Sequence, residues 1–227
     1  MDERQSLIEE IRIRREIQDR EYAASCKLWA HEQVNTVDEA TQRVRRWPDN
    51  KPYLDELFDI YEEEPLIALP KSRRLLVTWS VALWMTWRCR YHPHNAAYIQ
   101  SDKEEKSAYV IDQRCKFIED NLVDEWSRRP YNAIRTKNGM VGRLTYPDTS
   151  SYIVGVAEGA DKIRSYTASI IVLDESEFQE GAHAALTAIM ALVEGSKHVR
   201  CILISTCNGP QGVLAGICRE CGFTRWS

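Results

Sequence analysis

Three short apolar runs in this chain end in residues suited to phosphate and metal chemistry. Leu66-Ile67-Ala68-Leu69 leads into a polar, basic loop, Pro70-Lys71-Ser72-Arg73-Arg74-Leu75-Leu76-Val77-Thr78. A lysine there can reach phosphate oxygens, and a hydroxyl at Thr78 can ligate Mg²⁺. Ile170-Ile171-Val172-Leu173 ends in Asp174-Glu175, one carboxylate for a metal and a second as a candidate base. Cys201-Ile202-Leu203-Ile204 ends in Ser205-Thr206. Ligands of open α/β sheets bind at the C-terminal ends of strands, where these groups would gather. A phosphate loop, a metal-linked Asp and a base are the parts that nucleotide hydrolysis needs. The loop departs from the pattern G-x-x-x-x-G-K-[ST]. Lys71 and Leu76 stand where glycines would, Val77 stands where the lysine would, and only Thr78 is in place.

The elements that must position these groups follow from spacing. Val81, Trp84, Met85 and Arg88 recur at i, i+3, i+4 and i+7, with Leu76, Leu83 and Trp87 on a second face. That pattern predicts a helix after the loop, buried on most sides, whose N-terminal N–H groups face the anion. Upstream, Pro52 suits a first helical position, and Leu54, Leu57, Phe58 and Tyr61 share one face before Glu62-Glu63-Glu64-Pro65 ends the helix. Trp47 and Tyr53 lie where adenine could be contacted, though an aromatic residue at a helix entry is more often core. Ala96 to Ser101 reads as a strand, with Ser101 or Asp102 capping a helix that buries Tyr109, Ile111, Cys115, Ile118 and Leu122. Arg128, Arg129, Arg135, Lys137 and Arg143 surround Asn138-Gly139, the signature of a hairpin turn. Such a basic hairpin either touches a DNA backbone or is simply solvated. Tyr152 to Val156 is a further strand, Phe178 to Val193 a helix stopped by Gly195, and His198 to Ile204 the last clear strand.

Composition sets limits on this reading. The 227 residues suffice for one large domain with a small N-terminal appendage. Residues 1–46 are charge-dense, with Ile13, Ile17, Ala24 and Leu28 near helical spacing. They predict one or two helices on the outside of the core, a solvated arm or a partner-binding one. Thirty Lys and Arg against 34 Asp and Glu leave a net charge of −4, which argues against a protein that coats nucleic acid. Apolar runs are only strand-length and the start, Met1-Asp2-Glu3-Arg4-Gln5, lacks the apolar stretch of a signal peptide, so a cytosolic protein with no membrane partner is expected. Seven cysteines, an odd number, read as reduced thiols. His92-Pro93-His94 reads as a turn, and Cys218-Arg219-Glu220-Cys221 lacks a second pair at zinc-site spacing.

Taken in order, the loop Lys71 to Thr78, Ile99-Gln100-Ser101-Asp102, Ile171-Val172-Leu173-Asp174-Glu175 and Ile204-Ser205-Thr206-Cys207-Asn208-Gly209 resemble the ATPase domain of the large terminase subunit of tailed viruses, the motor that packages DNA. The resemblance implies an α/β P-loop NTPase of the ASCE/RecA-like kind. Its mostly parallel sheet, flanked by helices, would occupy residues 47–227 after an N-terminal helical extension at 1–46. It implies ATP and Mg²⁺ as cofactors, with Lys71, Ser72, Arg73, Arg74, Leu75, Leu76, Val77 and Thr78 around the nucleotide. Some terminases place the lysine at the start of a deviant loop, which fits Lys71. By the same resemblance Thr78 and Asp174 hold the metal, Glu175 activates water, and Arg73 sits near the γ-phosphate. Arg164 looks like the arginine that a neighbouring subunit inserts, and Ser205 and Thr206 couple hydrolysis to movement. The implied partners are double-stranded DNA, a portal protein, a small terminase subunit and further copies in a ring, a pentamer by resemblance. The implied setting is the cytoplasm of an infected host cell. The family's C-terminal nuclease has no counterpart within these residues, so an isolated motor domain without nuclease activity is expected. A helicase-like ATPase would need a second motor domain. A non-hydrolysing nucleotide-binding assembly module draws its support from Leu76 and Val77.

Overall fold

The computed structural model describes residues 3–38, 40–72, 75–159, 168–179, 181–196, 198–206, 214 and 224–225. The chain opens with α1 (Glu3–Ala24), α2 (Cys26–Gln33), the small hairpin β1 (Asn35–Val37) and β2 (Val44–Arg46), and α3 (Pro52–Glu63). The phosphate-loop strand β3 (Leu66–Lys71) and α4 (Val77–Tyr91) follow, then β4 (Ala96–Ser101) and α5 (Glu104–Val110). A π-helical stretch, Ile111–Lys116, continues α5 into α6 (Phe117–Asp120). The remaining elements are β5 (Asn132–Arg135), β6 (Val141–Tyr146), β7 (Ser151–Ala157), β8 (Ile170–Asp174), α7 (Ala182–Gly195), β9 (Arg200–Thr206) and β10 (Thr224–Arg225).

Eight strands form one sheet in the order β10-β3-β9-β8-β4-β7-β6-β5. Pairing is parallel from β10 through β7 and antiparallel from β7 to β5. This is the α/β fold expected from the sequence, a mostly parallel sheet flanked by helices. Continuous apolar strands arise because both faces are covered. Ile67, Leu69, Ile99, Val172, Ile202 and Ile204 point to the face packed by α2, α3 and α4. Ala68, Tyr98, Ile171, Leu173 and Leu203 point to the other, where α7 packs with Ala185, Leu186 and Ile189.

The order of strands decides where chemistry collects. β9 lies between β3 and β8, so the phosphate-loop strand and the acidic strand are next-but-one neighbours. Register brings Lys71 opposite Thr206 and Asp174 opposite Ile204, so the C-terminal ends of all three strands share one edge. Helix α4, central to one layer, is apolar nearly all round, and Trp79, Trp84 and Trp87 are buried along it. Two of these indoles reach outward for partners. Trp84 Nε1 donates to Glu62 at 2.6 Å and Trp87 Nε1 to the Tyr22 carbonyl at 2.7 Å.

Several expectations need correction. The stripe proposed for the N-terminal arm faces water: Ile13 and Ile17 are exposed on α1, as are Leu7 and Ile8. Helix α2, in contrast, packs into the main core through Trp29 and Ala30, which are fully buried. Neither Ser101 nor Asp102 caps α5. Lys103 occupies the cap without a side-chain bond, and Asp102 instead accepts from Lys106 at 2.7 Å. Tyr109 is half exposed, whereas Ser107, Ala108 and Val110 are buried. Phe178 lies in a separate 3₁₀ turn, Ser176–Phe178, and α7 begins only at Ala182.

Candidate active site

Lys71 closes β3 with a largely buried side chain, its Nζ 3.3 Å from Thr78 Oγ1 and 2.9 Å from Glu175 Oε1. The lysine at the loop start, the hydroxyl at the helix start and the acid after β8 therefore meet at one point. Val77, where the usual pattern has lysine, is the first residue of α4 and is buried in the core. A charge there would have to be desolvated, whereas Lys71 reaches the same place from the strand end. Leu76 occupies the last glycine position of that pattern and adopts a left-handed backbone, φ 58° and ψ 14°. The turn that glycine ordinarily makes is kept with a side chain that packs into the core. The loop is tied to α3 through Tyr53, whose hydroxyl donates to the Leu75 carbonyl at 3.0 Å. Trp47 is buried against Phe58 and offers no face to a ligand. Ser72 is exposed, while Arg73, Arg74 and Arg164 lie outside the described residues.

The two consecutive carboxylates diverge. Glu175 also has a left-handed backbone, φ 52°, uncommon for a residue with a side chain and frequent at functional turns. Its Oε2 accepts from Ser205 Oγ at 3.2 Å, Thr206 N at 3.1 Å and Thr206 Oγ1 at 3.2 Å. Burial alone would raise its pKa, but the hydrogen bond and charge of Lys71, with the donors of β9, hold it below the usual carboxylate range. Asp174 is 8% exposed, and its Oδ1 has no hydrogen-bond partner among the described residues. Burial pushes its pKa up to about 6, against the pull of Lys71 and with a push from Glu175. A buried carboxylate oxygen without a donor, beside a threonine hydroxyl, is a donor set suited to a hard cation. Mg²⁺ is commonly held by one or two carboxylates, water and substrate phosphates.

Gln179 and Glu177, which the sequence reading passed over, complete the edge together with Gln100. Gln179 Nε2 donates to the carbonyls of Asp174 at 2.8 Å and Gln100 at 3.2 Å, and its Oε1 accepts from Gln100 Nε2 at 2.8 Å. This buried amide pair stitches the ends of β8 and β4. The signal for it was polar residues at the end of apolar runs, a pattern read for Asp174 but not for Gln100. Glu177 N donates to Ser205 Oγ at 3.2 Å, so the turn after Glu175 is fastened to β9 as well. Beyond Thr78 and Asp174 the edge opens into a cleft of about 440 Å³ that Arg114, Tyr109 and Met140 also line.

No family model matches the chain, and no curated protein matches it in sequence. Solved structures do match in shape. It shares its fold with the large terminase of bacteriophage HK97. That match has a TM-score of 0.59 at 13% identity, covering 82% of this chain and 38% of the terminase. The large terminase of a thermophilic bacteriophage, in complex with ADP, matches with a TM-score of 0.49 at 10% identity, over 66% of this chain and 36% of that one. A Dbp5 variant from S. cerevisiae bound to RNA and ADP BeF3 matches with a TM-score of 0.47 at 15% identity, over 78% and 44%.

The hairpin β5–β6 forms around Asn138-Gly139 as expected, with Gly139 at φ 81°. Its basic neighbours are largely engaged by the fold. Arg129 pairs with Asp19 at 3.2 Å, Arg128 with Glu125 at 3.5 Å, and Arg143 stacks on Tyr152. His92 packs on the Trp87 ring, and among the described residues no three His, Cys, Asp or Glu side chains group as a metal site. Cys26, Cys89, Cys115 and Cys201 are free and buried, and burial raises each thiol pKa. The Cys218–Cys221 pair lies outside the described residues. No helix among the described residues is long and apolar enough to cross a membrane.

Proposed function

We propose that this chain is the ATPase motor of a viral DNA-packaging machine, hydrolysing ATP to drive double-stranded DNA into a procapsid. The observation that carries the reading is the meeting of Lys71, Thr78 and Glu175 at one point, with Asp174 beside them and Ser205 and Thr206 holding the glutamate. Lys71 and the N-terminus of α4 receive the β- and γ-phosphates; Thr78 and Asp174 would hold Mg²⁺, which would supply charge neutralisation at the transferring phosphoryl group. Glu175 orients the attacking water. The water oxygen bonds to the γ-phosphorus as the bond to the β–γ bridging oxygen breaks, the water's proton passes to Glu175, and ADP leaves with the electron pair.

The ion pair between Lys71 and Glu175 gives this sequence of events an order. While Lys71 donates to Glu175, the carboxylate is a weak base and the lysine is engaged. A phosphate that draws Lys71 away removes a hydrogen bond and a neighbouring charge, so the proton affinity of Glu175 rises when a substrate is present. Ser205 and Thr206 keep Oε2 in place meanwhile, which links the base to the end of β9. Arg73 and, from a neighbouring subunit, Arg164 serve the γ-phosphate. A portal protein, a small terminase subunit and further copies of the chain are the partners this reading assigns, in the cytoplasm of an infected host cell.

The test is Mg²⁺-dependent ATP hydrolysis by the chain beside Glu175→Ala, over a range of protein concentration. Activity that rises more than linearly with concentration and disappears in the variant is the expected result. The Lys71–Glu175 pair, with Val77 in the usual lysine position, favours a second reading: a nucleotide-binding assembly module that does not hydrolyse. Measurable ATP binding with no turnover at any concentration would establish that module instead. Absence of binding would remove both.

A further inference from the structure

Helix α5 passes into a π-helical stretch at Ile111–Lys116. In an α-helix, residues five apart point in different directions, and only those three or four apart are neighbours. The wider π turn brings positions five apart together, and such turns occur frequently at functional sites. Arg114 lies in this stretch, and its guanidinium carbon is 5.6 Å from the ring centroid of Tyr109, five residues earlier at the end of α5. The same guanidinium lies 4.5 Å from the ring centroid of Trp79, the residue after Thr78 on α4. One Nη donates to the Gln113 carbonyl at 3.1 Å. Two aromatic rings and one carbonyl thus restrict an arginine that would otherwise sample many rotamers, and a pre-set planar fork suits phosphate oxygens.

Arg114 lines the cleft of about 440 Å³ that Thr78 and Asp174 also line. Asp174, in the same lining, has a buried Oδ1 with no donor among the described residues. A carboxylate suited to a cation and a guanidinium suited to an anion thus line one cleft, a combination that a metal-bound phosphate could use. Lys106 lines the same cleft, its charge paired with Asp102 at 2.7 Å.

We propose that Arg114 contacts the terminal phosphate of a nucleotide bound at Lys71 and Thr78, acting from within the same chain. This rests on the nucleotide reading above and adds a residue to it. Arg114 distinguishes triphosphate from diphosphate: it donates to γ-phosphate oxygens, offsets the negative charge that develops there during transfer, and has no partner phosphate in ADP. It sits within the π turn, where the 3.6-residue period used to read helices from sequence does not apply.

The experiment measures Mg²⁺-dependent binding of ADP and of the non-hydrolysable analogue AMP-PNP to the full chain, to Arg114→Ala and to Arg114→Lys. Wild type is expected to prefer AMP-PNP. Arg114→Ala should lose about 10- to 100-fold in AMP-PNP affinity, the value of hydrogen bonds to a charged group, with ADP affinity unchanged. Arg114→Lys keeps the charge without the fork and should fall between the two. If Arg114→Ala loses its fold along with its stack on Trp79, the AMP-PNP to ADP ratio of Arg114→Lys decides. Equal loss for both nucleotides, or no loss for either, overturns the assignment and leaves Arg114 a packing residue. Wild type that binds neither nucleotide overturns the nucleotide reading itself, and this contact with it.

Discussion

Asp174 must carry a charge in a place that disfavours one. Burial raises its pKa from 3.8 to about 6, and one of its oxygens lacks a donor among the described residues. The native state therefore holds this proton to higher pH than the unfolded chain does. Between those two values it binds more protons than the unfolded state, so stability falls as pH rises. The difference corresponds to about 3 kcal/mol, lost by the time the pH passes 6 and not regained above it. Asp174→Asn removes the ionisation. The variant should therefore be more stable than wild type in urea at pH 7.5, by about 2–3 kcal/mol, and close to it at pH 4. It should not hydrolyse ATP. A difference in stability that is the same at both pH values would show that Asp174 does not titrate in this window. Asp174, Glu175, Ser205 and Thr206 were legible as candidates because each follows an apolar run, and strand ends are local in sequence. Arg114 was not, because it sits within a departure from the helical period.

The passage from β3 into α4 shows how a loop keeps its path after losing its glycines. Leu76 holds a left-handed backbone that costs about 1–2 kcal/mol for a residue with a Cβ, and it offsets that cost by burying its side chain. Truncation separates the two effects. Leu76→Ala loses the packing and keeps the strain, whereas Leu76→Gly loses the packing and relieves the strain. Against the usual ranking, the glycine variant should therefore unfold at higher denaturant than the alanine variant, with a gap of about 1 kcal/mol. The reverse order would mean that the loop relaxes out of this conformation on truncation. Strands β3, β4, β8 and β9 were readable as uninterrupted apolar runs, since burial on both faces leaves no alternation to decode. The hairpin of β1 and β2 was not, because three-residue strands with the exposed run Val44–Arg46 carry no periodic signal. Nor did α1 follow its apolar spacing, since Ile13 and Ile17 remain in water while the helix is anchored near its end by Tyr22.

For the whole molecule, the question is whether one chain contains a complete site. Lys71, Thr78, Asp174 and Glu175 come from one chain, and Arg114 is placed to join them. Under the function proposed above, Arg164 would come from a neighbour in a ring whose subunits meet head to tail, so that each site would be completed by the next copy. Such an arrangement makes two different defects complementary. A chain with Glu175→Ala lacks its own base but still offers Arg164 to its neighbour. A chain with Arg164→Ala retains Glu175 but offers nothing across the interface. Each variant alone should be inactive, by a factor of about 10³ or more for loss of such an arginine. In a mixture, some Arg164→Ala subunits sit beside a Glu175→Ala subunit and receive its arginine, so hydrolysis should return in proportion to mixed interfaces. Varying the ratio should give an activity maximum at an intermediate composition. Activity absent at every ratio, with both variants folded and binding nucleotide, would place Arg164 within its own chain. The ring would then have to be sought through another residue, because a site complete in one subunit gives neighbouring copies no chemical reason to act in turn.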